Sequence, residues 1–344
     1  MTRIFVAGLG AVSPAGWNVA ALRDALEKNV PLPAQTLARP GWEQPLRARL
    51  VPPPAARLEF LAHPRLRRSS PITHYAAAAA LEALAGLRAR AGTQDLRLGV
   101  IAGLQSGCVQ YSCRFYDETL KNPATASPLV FPETVYAAPT SHIAALLGNV
   151  ALACSLVGDS SVFLQGVALG AEWLVENRVD ACVVFAAEET HWIIADALRF
   201  LDPGAVMAAG AGALCLCRAP ELSLGVELAA ITDAHTFSAR QTRAQAVLAM
   251  RQQLRPDAPA GLLCDGLGAS PRNDAAERAA WHDWSGARLS PKAVFGEGLA
   301  AAAAWQCVAA CDALAAGRYP AASVSLAGSS QHALGARFAR SHSP

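Results

Sequence analysis

Short apolar runs alternate with longer stretches of helical periodicity along the whole chain. The runs are typical of buried strands, and the longer stretches repeat apolar residues at the spacing of a helix face. Predicted strands cover 3–8, 97–103, 152–157, 181–187, 212–218, 222–231, 260–264, 321–327 and 333–338. The longest predicted helices cover 73–90, 160–176, 239–254 and 297–316. Strands separated by helices of this length indicate an α/β layered fold.

The order of strands and helices begins a second time after residue 218. We therefore predict two similar α/β halves, 1–219 and 220–344, each within the usual size of a domain. The segments 31–72 and 106–140 show neither the strand pattern nor the helical periodicity. They are predicted to be excursions that cover the sheets or shape a site.

Composition indicates a globular protein without a strong overall charge. Of the 344 residues 53% are hydrophobic, and 29 Lys and Arg balance 27 Asp and Glu to a net charge of +2. No global attraction to nucleic acid or to a membrane surface follows from this balance. The N-terminus enters a strand pattern without the features of a signal peptide, and Asp159, Glu172 and Glu176 interrupt later apolar runs. We expect a cytoplasmic protein that is not inserted in a membrane.

The nine cysteines show no CxxC pairing, and several lie inside apolar strand patterns. Buried free thiols are the expected interpretation, rather than a zinc site or a disulfide framework. We expect no metal and no cofactor. Lysine is rare, because only Lys28, Lys121 and Lys292 occur. A lysine at a motif position is therefore less often a coincidence here than in a sequence of ordinary lysine content.

A buried strand, a tight turn and a helix follow one another in 152–176, with Gly-Asp-Ser-Ser at the turn. This segment resembles the nucleophile segment of the β-ketoacyl-acyl-carrier-protein synthases. In that family a cysteine stands on the turn, where the helix N-terminus favours a thiolate. Ser160 occupies the matching position here. A serine without a base is a poor nucleophile near neutral pH, because its hydroxyl stays protonated.

Further segments resemble the same family in the same order. They are the opening strand and turn at 3–16, the helix at 139–148, the glycine-rich strand at 204–216 and a second-half signature at 233–237. The collinear order extends over nearly all of 3–338. The resemblance implies the thiolase-like fold, in which two pseudo-symmetric α/β halves form layers and the protein is normally paired as a dimer.

The other catalytic residues of that family are replaced. Its first histidine matches Asp265 if one residue is inserted before Pro271, and Gly266 if none is. Its second histidine follows a lysine, and here Lys292 is kept while Glu297 replaces the histidine. The histidines donate N–H groups to an oxyanion during condensation, whereas carboxylates accept. An ionised carboxylate would also repel the malonyl carboxylate by about 4 kcal/mol, at roughly 4 Å and an effective dielectric near ~20.

Structural roles are open for the same positions. The turn is a helix-capping sequence, so Asp159 or Ser160 can satisfy the first free N–H groups of the following helix. Lys292 can form a buried salt bridge with Glu297 or with Asp265. We favour capping over nucleophilic attack, and a residual ion pair over catalysis.

The loop that gates the family's active site also differs. The family has Gly-Phe-Gly-Gly, whereas residues 327–330 are Ala-Gly-Ser-Ser, so the aromatic flap is absent. His332 follows this loop. A single histidine there is expected to be hydrogen-bonded and structural, although it also remains a candidate base.

Two arginine clusters are candidate docking sites for an acyl carrier protein, because carrier proteins are acidic. The first consists of Arg65, Arg67 and Arg68, and the second, predicted on one long helix, of Arg240, Arg243, Arg251 and Arg255. The alternative for both is an ordinary solvated arginine face.

These features together predict a non-condensing subunit that resembles the chain-length factors. Such a subunit pairs with an active ketosynthase as a heterodimer and shapes the acyl tunnel in type II polyketide or fatty-acid-like biosynthesis, including aryl polyene systems. The family pairs its nucleophile strand, here 151–157, across the dimer axis. Many chain-length factors carry glutamine where Ser160 stands here.

Two other functions are open from the sequence. One is a serine-dependent acyltransferase or thioesterase that acts on acyl carrier protein through Ser160, with His332 or an unprotonated Lys292 as its base. The other is a homodimeric scaffold unconnected with condensation.

Overall fold

Fourteen strands and ten α-helices make up the part of the chain that the computed structural model describes, which is residues 2–256, 260–268, 270–328 and 332–341. The strands are β1 (Phe5–Val12), β2 (Gln35–Leu37), β3 (Leu46–Arg49), β4 (Leu98–Leu104), β5 (Val150–Val157), β6 (Ala181–Glu188), β7 (Met207–Ala208), β8 (Gly210–Cys217), β9 (Val226–Ile231), β10 (His235–Thr236), β11 (Leu262–Cys264), β12 (Ala287–Leu289), β13 (Ala321–Ala327) and β14 (His332–Arg340). The helices are α1 (Val19–Lys28), α2 (Pro71–Ala91), α3 (Val109–Lys121), α4 (Ala138–Leu147), α5 (Val162–Val175), α6 (Trp192–Leu201), α7 (Arg243–Leu254), α8 (Pro271–Ala280), α9 (Pro291–Phe295) and α10 (Ala300–Ala315).

The strand order repeats between the two halves of the chain. The first half runs β5-β4-β6-β8-β1, and the second runs β12-β11-β13-β14-β9. In each half the first two pairings in this order are parallel and the last two are antiparallel. The halves join where β1 pairs antiparallel with β9. The predicted α/β class is confirmed. The division into halves at residues 219 and 220, which falls between β8 and β9, stays a prediction.

The helices form three layers around these strands. Helices α2 and α4 cover the outer face of the first half, and α7 and α8 cover the outer face of the second. Helices α5 and α10 lie between the halves and pack on strands of both. None of the helices in the described ranges combines the length and the apolar composition needed to cross a bilayer.

Helix α10 is buried around nearly its whole circumference, as its alanine-rich sequence requires. The indole Nε1 of Trp305 donates to the carbonyl oxygens of Val12, at 2.9 Å, and Ala211, at 3.0 Å, in the first half. The amide of Gln306 donates to the carbonyl oxygen of Ser325, at 3.0 Å, in the second half. These bonds join the central helix to both halves.

All nine predicted strands are present, whereas the helices were predicted less completely. The predicted helix 239–254 begins only at Arg243, because Thr242 caps it by accepting a hydrogen bond from the N–H of Gln245 at 3.3 Å. Arg240 therefore precedes the helix, and Arg255 ends it in the left-handed conformation with φ of 47°. The prediction of four arginines on one helix was wrong. Helices α1, α3, α6, α8 and α9 were not predicted as elements.

Close packing of α10 against β8 depends on glycine. A Cβ atom added at Gly212 would lie 2.7 Å from the Cβ of Ala304, which is too close for two carbon atoms. We expect Gly212→Ala to lower the free energy of unfolding by about 1–3 kcal/mol, because overpacking forces the backbone to shift. Urea unfolding followed by circular dichroism measures this change.

Gly86→Ala is the matched control for that substitution. Its added Cβ would meet only the flexible end of Arg90 at 3.3 Å, within α2. The same chemical change should be neutral or stabilising there by up to about 1 kcal/mol. Equal effects at Gly212 and Gly86 would contradict the packing argument.

Candidate functional site

The residues that correspond to the family's active site surround one small cavity. It lies where β4, β5, β11 and β13 end, which is the edge at which α/β sheets usually bind ligands. Its lining residues are Gln105, Ser160, Asp202, Ala205, Gly266, Gly268, Ser270, Asn273, Glu277, Lys292, Glu297, Leu299 and Ala327. The cavity volume is about 20 Å³, which is room for about one water molecule. Ser160, Gly266, Lys292 and Glu297, which match the family's catalytic positions, thus lie at one cavity.

Ser160 lines this cavity and is only 6% exposed. Helix α5 begins at Val162, whose N–H donates to the main-chain oxygen of Asp159 at 2.9 Å. The carboxylate of Asp159 accepts from the N–H of Ser161 at 3.1 Å and from its hydroxyl at 2.6 Å. Asp159 therefore closes the turn, and Ser160 is not the capping residue. Within the described ranges, no group is hydrogen-bonded to the Ser160 hydroxyl.

Glu297, at the position of the second histidine, anchors the start of α10. One carboxylate oxygen accepts from the Nζ of Lys292 at 2.7 Å, and the other accepts from the N–H of Leu299 at 2.8 Å. Leu299 has a φ of 51°, so this bond holds a conformation that leucine rarely adopts. The main chain of Glu297 also pairs with Val206 and Ala208 beside β7. Each oxygen of the carboxylate thus accepts one hydrogen bond from a neighbouring structural group.

Lys292 is buried with Glu297, as one of the two interpretations of the sequence proposed. Burial lowers the pKa of Lys292, but the charge of Glu297 and its hydrogen bond together outweigh that effect and raise the pKa above its ordinary value. The ammonium group therefore stays protonated near neutral pH. A protonated lysine cannot accept a proton from a serine.

Asp265 does not contact Lys292. Its carboxylate accepts from Arg288 at 3.0 Å, from the Ser290 hydroxyl at 2.6 Å and from the N–H of Leu267 at 3.2 Å. Burial raises its pKa, and these partners oppose the rise. Of the two residues that the sequence left open as the match to the first histidine, Gly266 lines the cavity and Asp265 does not.

Two polar contacts that the sequence did not predict hold the loop after β11 at the cavity. The buried carboxylate of Glu277 accepts from the N–H of Gly266 at 3.0 Å, and the amide of Asn273 donates to Asp202 at 3.1 Å. Burial raises the pKa of Glu277, and the charge of Asp265 adds to the rise. The family pattern already contained Asn273, Asp274 and Glu277. The sequence alone did not show which groups these residues bind.

His332 begins β14 and contacts α5 rather than Ser160. The Nε2 atoms of His332 and Gln165 lie 2.7 Å apart, so the Gln165 amide donates to this ring nitrogen. The hydrogen-bonded histidine expected from the sequence is present. The gating loop predicted at 327–330 falls partly outside the described residues, because the structure describes 327 and 328 but not 329 and 330.

Two adjacent buried carboxylates at the end of β6 also organise this edge, and the sequence analysis missed both. Glu188 accepts from the N–H groups of Gln105, at 2.7 Å, and Ser106, at 3.1 Å. Glu189 accepts from the N–H groups of Gln110, at 2.7 Å, and Ile72, at 3.1 Å. Burial raises the pKa of Glu188 to about 7, against the effect of its hydrogen bonds. The sequence feature that could have indicated these buried carboxylates is the pair of glutamates directly after the apolar run 181–187.

The two arginine clusters differ in accessibility. The three arginines of the first are exposed on a 3-10 turn at Pro64–Arg68, which we call the arginine turn. In the second cluster Arg243 donates to the main-chain oxygen of Gly328 at 2.7 Å, and Arg251 pairs with Asp283 at 2.5 Å. Two of the four arginines in the second cluster are therefore held by contacts within the chain, whereas Arg240 and Arg255 are exposed.

Strand β5, which leads to the Ser160 turn, lies at the edge of the described sheet. Its sequence, Val-Ala-Leu-Ala-Cys-Ser-Leu-Val, contains no charge, and Val157 is 57% exposed. The Thr140 and Ser155 hydroxyls lie 2.6 Å apart and join β5 to α4. Further exposed apolar residues occur in and after α3, at Tyr116, Leu120, Leu129, Phe131, Val135 and Tyr136. An uncharged, unpaired edge is a surface that soluble proteins usually cover.

Three solved structures share this architecture over nearly the whole chain. A β-ketoacyl synthase from Burkholderia phymatum STM815 has a TM-score of 0.82 and 16% identity, covering 99% of this chain and 100% of that one. The ishigamide ketosynthase/chain length factor has a TM-score of 0.79 and 17% identity, covering 99% and 100%. AntDE:AntF, a type II polyketide acyl-carrier protein in complex with its ketosynthase, has a TM-score of 0.76 and 14% identity, covering 98% and 99%.

These similarities confirm the resemblance to the ketosynthases and the thiolase-like α/β fold predicted from the sequence. No family model and no curated protein matches the sequence. At identities of 14–17% the similarity establishes the fold alone. The function has to be argued from the residues at the cavity and on the surface.

The raised pKa of Glu188 predicts a pH-dependent stability. Its folded-state pKa is about 7, against an ordinary value of 4.5, so the folded protein binds a proton more tightly than the unfolded chain. This contribution is fully present below pH 4.5 and is lost as pH rises toward 7. We expect the free energy of unfolding, from urea titrations at pH 5–8, to fall with pH in that window.

Glu188→Gln should reduce this slope by up to about 1.4 kcal/mol per pH unit, the contribution of one proton. The N–H groups of Gln105 and Ser106 donate to two different oxygens of the Glu188 carboxylate, whereas glutamine has only one acceptor oxygen. The variant should therefore also be less stable overall. Glu43→Gln, on an exposed loop, is the control and should leave the slope unchanged. An unchanged slope in the Glu188 variant would refute the assignment.

Proposed function

We propose that this protein is a non-condensing, ketosynthase-like subunit that pairs with an active β-ketoacyl synthase, as a chain-length factor does. The observation that carries the proposal is the state of the former active site. Serine replaces cysteine at the turn, and the second histidine is replaced by a carboxylate that anchors the central helix. The cavity between these residues is small, about 20 Å³.

The chemistry of condensation requires donors where this cavity presents acceptors. The reaction passes through a tetrahedral oxyanion, which enzymes stabilise with aimed N–H groups. Glu297 presents a carboxylate in place of one donor, and Gly266 has no side chain in place of the other. The only cation that lines the cavity, among the residues described, is Lys292, and it is bound to Glu297.

The serine acyltransferase or thioesterase is the weaker candidate, because Ser160 has no base. Lys292 is held protonated by Glu297, and the Nε2 of His332 accepts from Gln165. A serine nucleophile needs a base within hydrogen-bond reach to lose its proton. The unbonded Ser160 hydroxyl is the one observation in favour of this function.

The partner is proposed from the edge strand. Strand β5 is uncharged, lies at the edge of the described sheet and exposes Val157. Such an edge suits an obligate interface, which stays buried in the complex. Since β5 leads to the Ser160 turn, a partner on this edge places its own active site close to this chain. Exposed apolar residues such as Phe131 and Leu129 can then line the acyl tunnel of a type II polyketide or fatty-acid-like pathway. The acyl carrier protein of that pathway is the second proposed partner.

The purified chain should form no ketoacyl product from malonyl and acyl carrier-protein thioesters, because nucleophile and donors are absent. After the same incubation, intact-protein mass spectrometry should show no acyl adduct on Ser160. Ser160→Ala should leave pathway output nearly intact, since no hydrogen bond joins the hydroxyl to any residue that the structure describes. An acylated Ser160 would instead support the acyltransferase.

Co-expression with a cysteine-bearing ketosynthase should give a heterodimer that elutes as one species and has the mass of a 1:1 complex by light scattering. Val157→Lys should abolish this co-elution, because a charge would be buried at the sheet edge without a partner. Val30→Lys is the control, since Val30 is 62% exposed outside the edge. A stable monomer that never joins the ketosynthase, or a homodimer that excludes it, contradicts the proposed function.

A further inference from the structure

Cys113 differs from the other cysteines of the chain because a histidine faces its thiol. Seven of the nine free cysteines are buried, and Cys113 and Cys154 are the two that are partly accessible. The Sγ atom of Cys113, on α3, lies 3.8 Å from the Nδ1 atom of His191, just before α6. We call Cys113 and His191 the thiol–imidazole pair. A base within hydrogen-bond reach is what activates a cysteine as a nucleophile.

The local fold fixes which nitrogen of His191 faces the thiol. His191 caps α6, because its Nδ1 accepts a hydrogen bond from the N–H of Ile193 at 3.3 Å. A ring nitrogen that accepts carries no proton, so the proton of the neutral imidazole is on Nε2. Nδ1 therefore presents a lone pair to Cys113, and the S–H group of Cys113 is the donor in the contact between them.

The surroundings of the thiol–imidazole pair keep both groups neutral at rest. Burial lowers the pKa of His191, and the charge of Asp117, four residues after Cys113 on α3, does not outweigh this effect. Burial raises the pKa of Cys113, and the charges of Asp117 and Glu189 add to the rise. The thiol consequently needs a base when it reacts. The neutral imidazole is available as that base near neutral pH.

The thiol–imidazole pair lies outside the cavity of Ser160, whose lining includes neither of its residues. Exposed apolar side chains flank the pair. Tyr116, three residues after Cys113 on α3, is 62% exposed, and Ile193, two residues after His191, is 39% exposed. Residues three apart on a helix are neighbours on its surface. An apolar group attached to Cys113 can therefore cover part of this apolar surface, which is favourable in water.

We propose that Cys113 is a nucleophile that accepts an acyl group from a thioester, with His191 as its base. The Sγ atom of Cys113 forms a bond to the acyl carbon, and the bond between that carbon and the sulfur of the donor breaks. The thiol proton passes to Nδ1 of His191 and from there to the departing sulfur, which leaves as a thiol. One thioester replaces another, so the step needs no oxidant, whereas oxidation of Cys113 would need one.

This inference goes beyond the proposed function, because it gives a chain without a condensing site a covalent place for an acyl group. The group is held outside the cavity of Ser160, so its transfer to Cys113 does not require that cavity to accept it. Acylation of Cys113 and pairing with a ketosynthase are separate properties of the chain. The two proposals can therefore fail independently.

The test is incubation of the purified full chain with octanoyl-N-acetylcysteamine, a small acyl thioester, followed by intact-protein and peptide mass spectrometry. We expect an octanoyl group on Cys113, added at least about 10-fold faster than on Cys154, because a base assists only Cys113. Cys154 is the internal control. It is also free and half-buried, and no histidine is hydrogen-bonded to it in the ranges that the structure describes.

His191→Asn separates the base from the helix cap. Asparagine is also a good N-cap residue, so α6 keeps its cap while the imidazole is removed. Acylation of Cys113 should slow at least about 10-fold in this variant. Cys113→Ser should remove the faster acylation altogether. Thermal unfolding checks that both variants are folded.

The pH dependence is a second readout, and it needs no variant. Only the thiolate of an unassisted cysteine reacts, so its rate rises about 10-fold per pH unit below its pKa. Attack assisted by a neutral imidazole should change by less than about 2-fold between pH 7 and pH 8, because the ring is already deprotonated there. Cys154 should show the steep dependence, and so should Cys113 in His191→Asn.

Equal rates on Cys113 and Cys154 overturn the inference. An unchanged rate in folded His191→Asn, or a steep pH dependence of Cys113 in the unmodified chain, also overturns it, because the imidazole would then not act as a base. An octanoyl group found on Ser160 instead would support the serine acyltransferase. A chain that is acylated on Cys113 but never joins a ketosynthase overturns only the proposed function.

Discussion

Burial of α10 between the two halves is the constraint on which the rest of the structure depends. The helix is inaccessible around nearly its whole surface, so each half must present small or apolar residues to it. Glycine at position 212 lets β8 approach Ala304, and Trp305 and Gln306 bond to opposite halves. Because α10 packs on strands of both halves, the position of its first residues is set by both halves together.

Glu297, which matches the position of the family's second histidine, lies just before the start of this helix. Glu297 joins Lys292 to the N–H of Leu299 and pairs its main chain with residues beside β7. An ionised carboxylate has no proton to donate to an oxyanion, and each oxygen of this one already accepts a hydrogen bond. Glu297 thus holds the end of α9 and the start of α10 together.

Buried carboxylates at the strand ends have a comparable role. Glu188 and Glu189 accept backbone N–H groups from the segments that begin α2 and α3, and Asp159 closes the turn before α5. Each accepts main-chain donors that would otherwise be unsatisfied in the interior. The cost is a raised pKa where burial outweighs these bonds, as at Glu188. These bonds fix the backbone at the strand ends, while the neighbouring strand β5 stays uncharged and exposes Val157.

From its amino-acid pattern alone the sequence predicts the strands, the repeat of the α/β order, and a serine and a glutamate where the family it resembles has its cysteine and second histidine. Apolar periodicity and residue identity are local properties, so they can be read along the chain. The sequence did not determine which acid pairs with Lys292, that Gly266 rather than Asp265 faces the cavity, or that His191 faces Cys113. Those outcomes depend on distances between residues far apart in sequence, and only the packing of the two halves around α10 decides them.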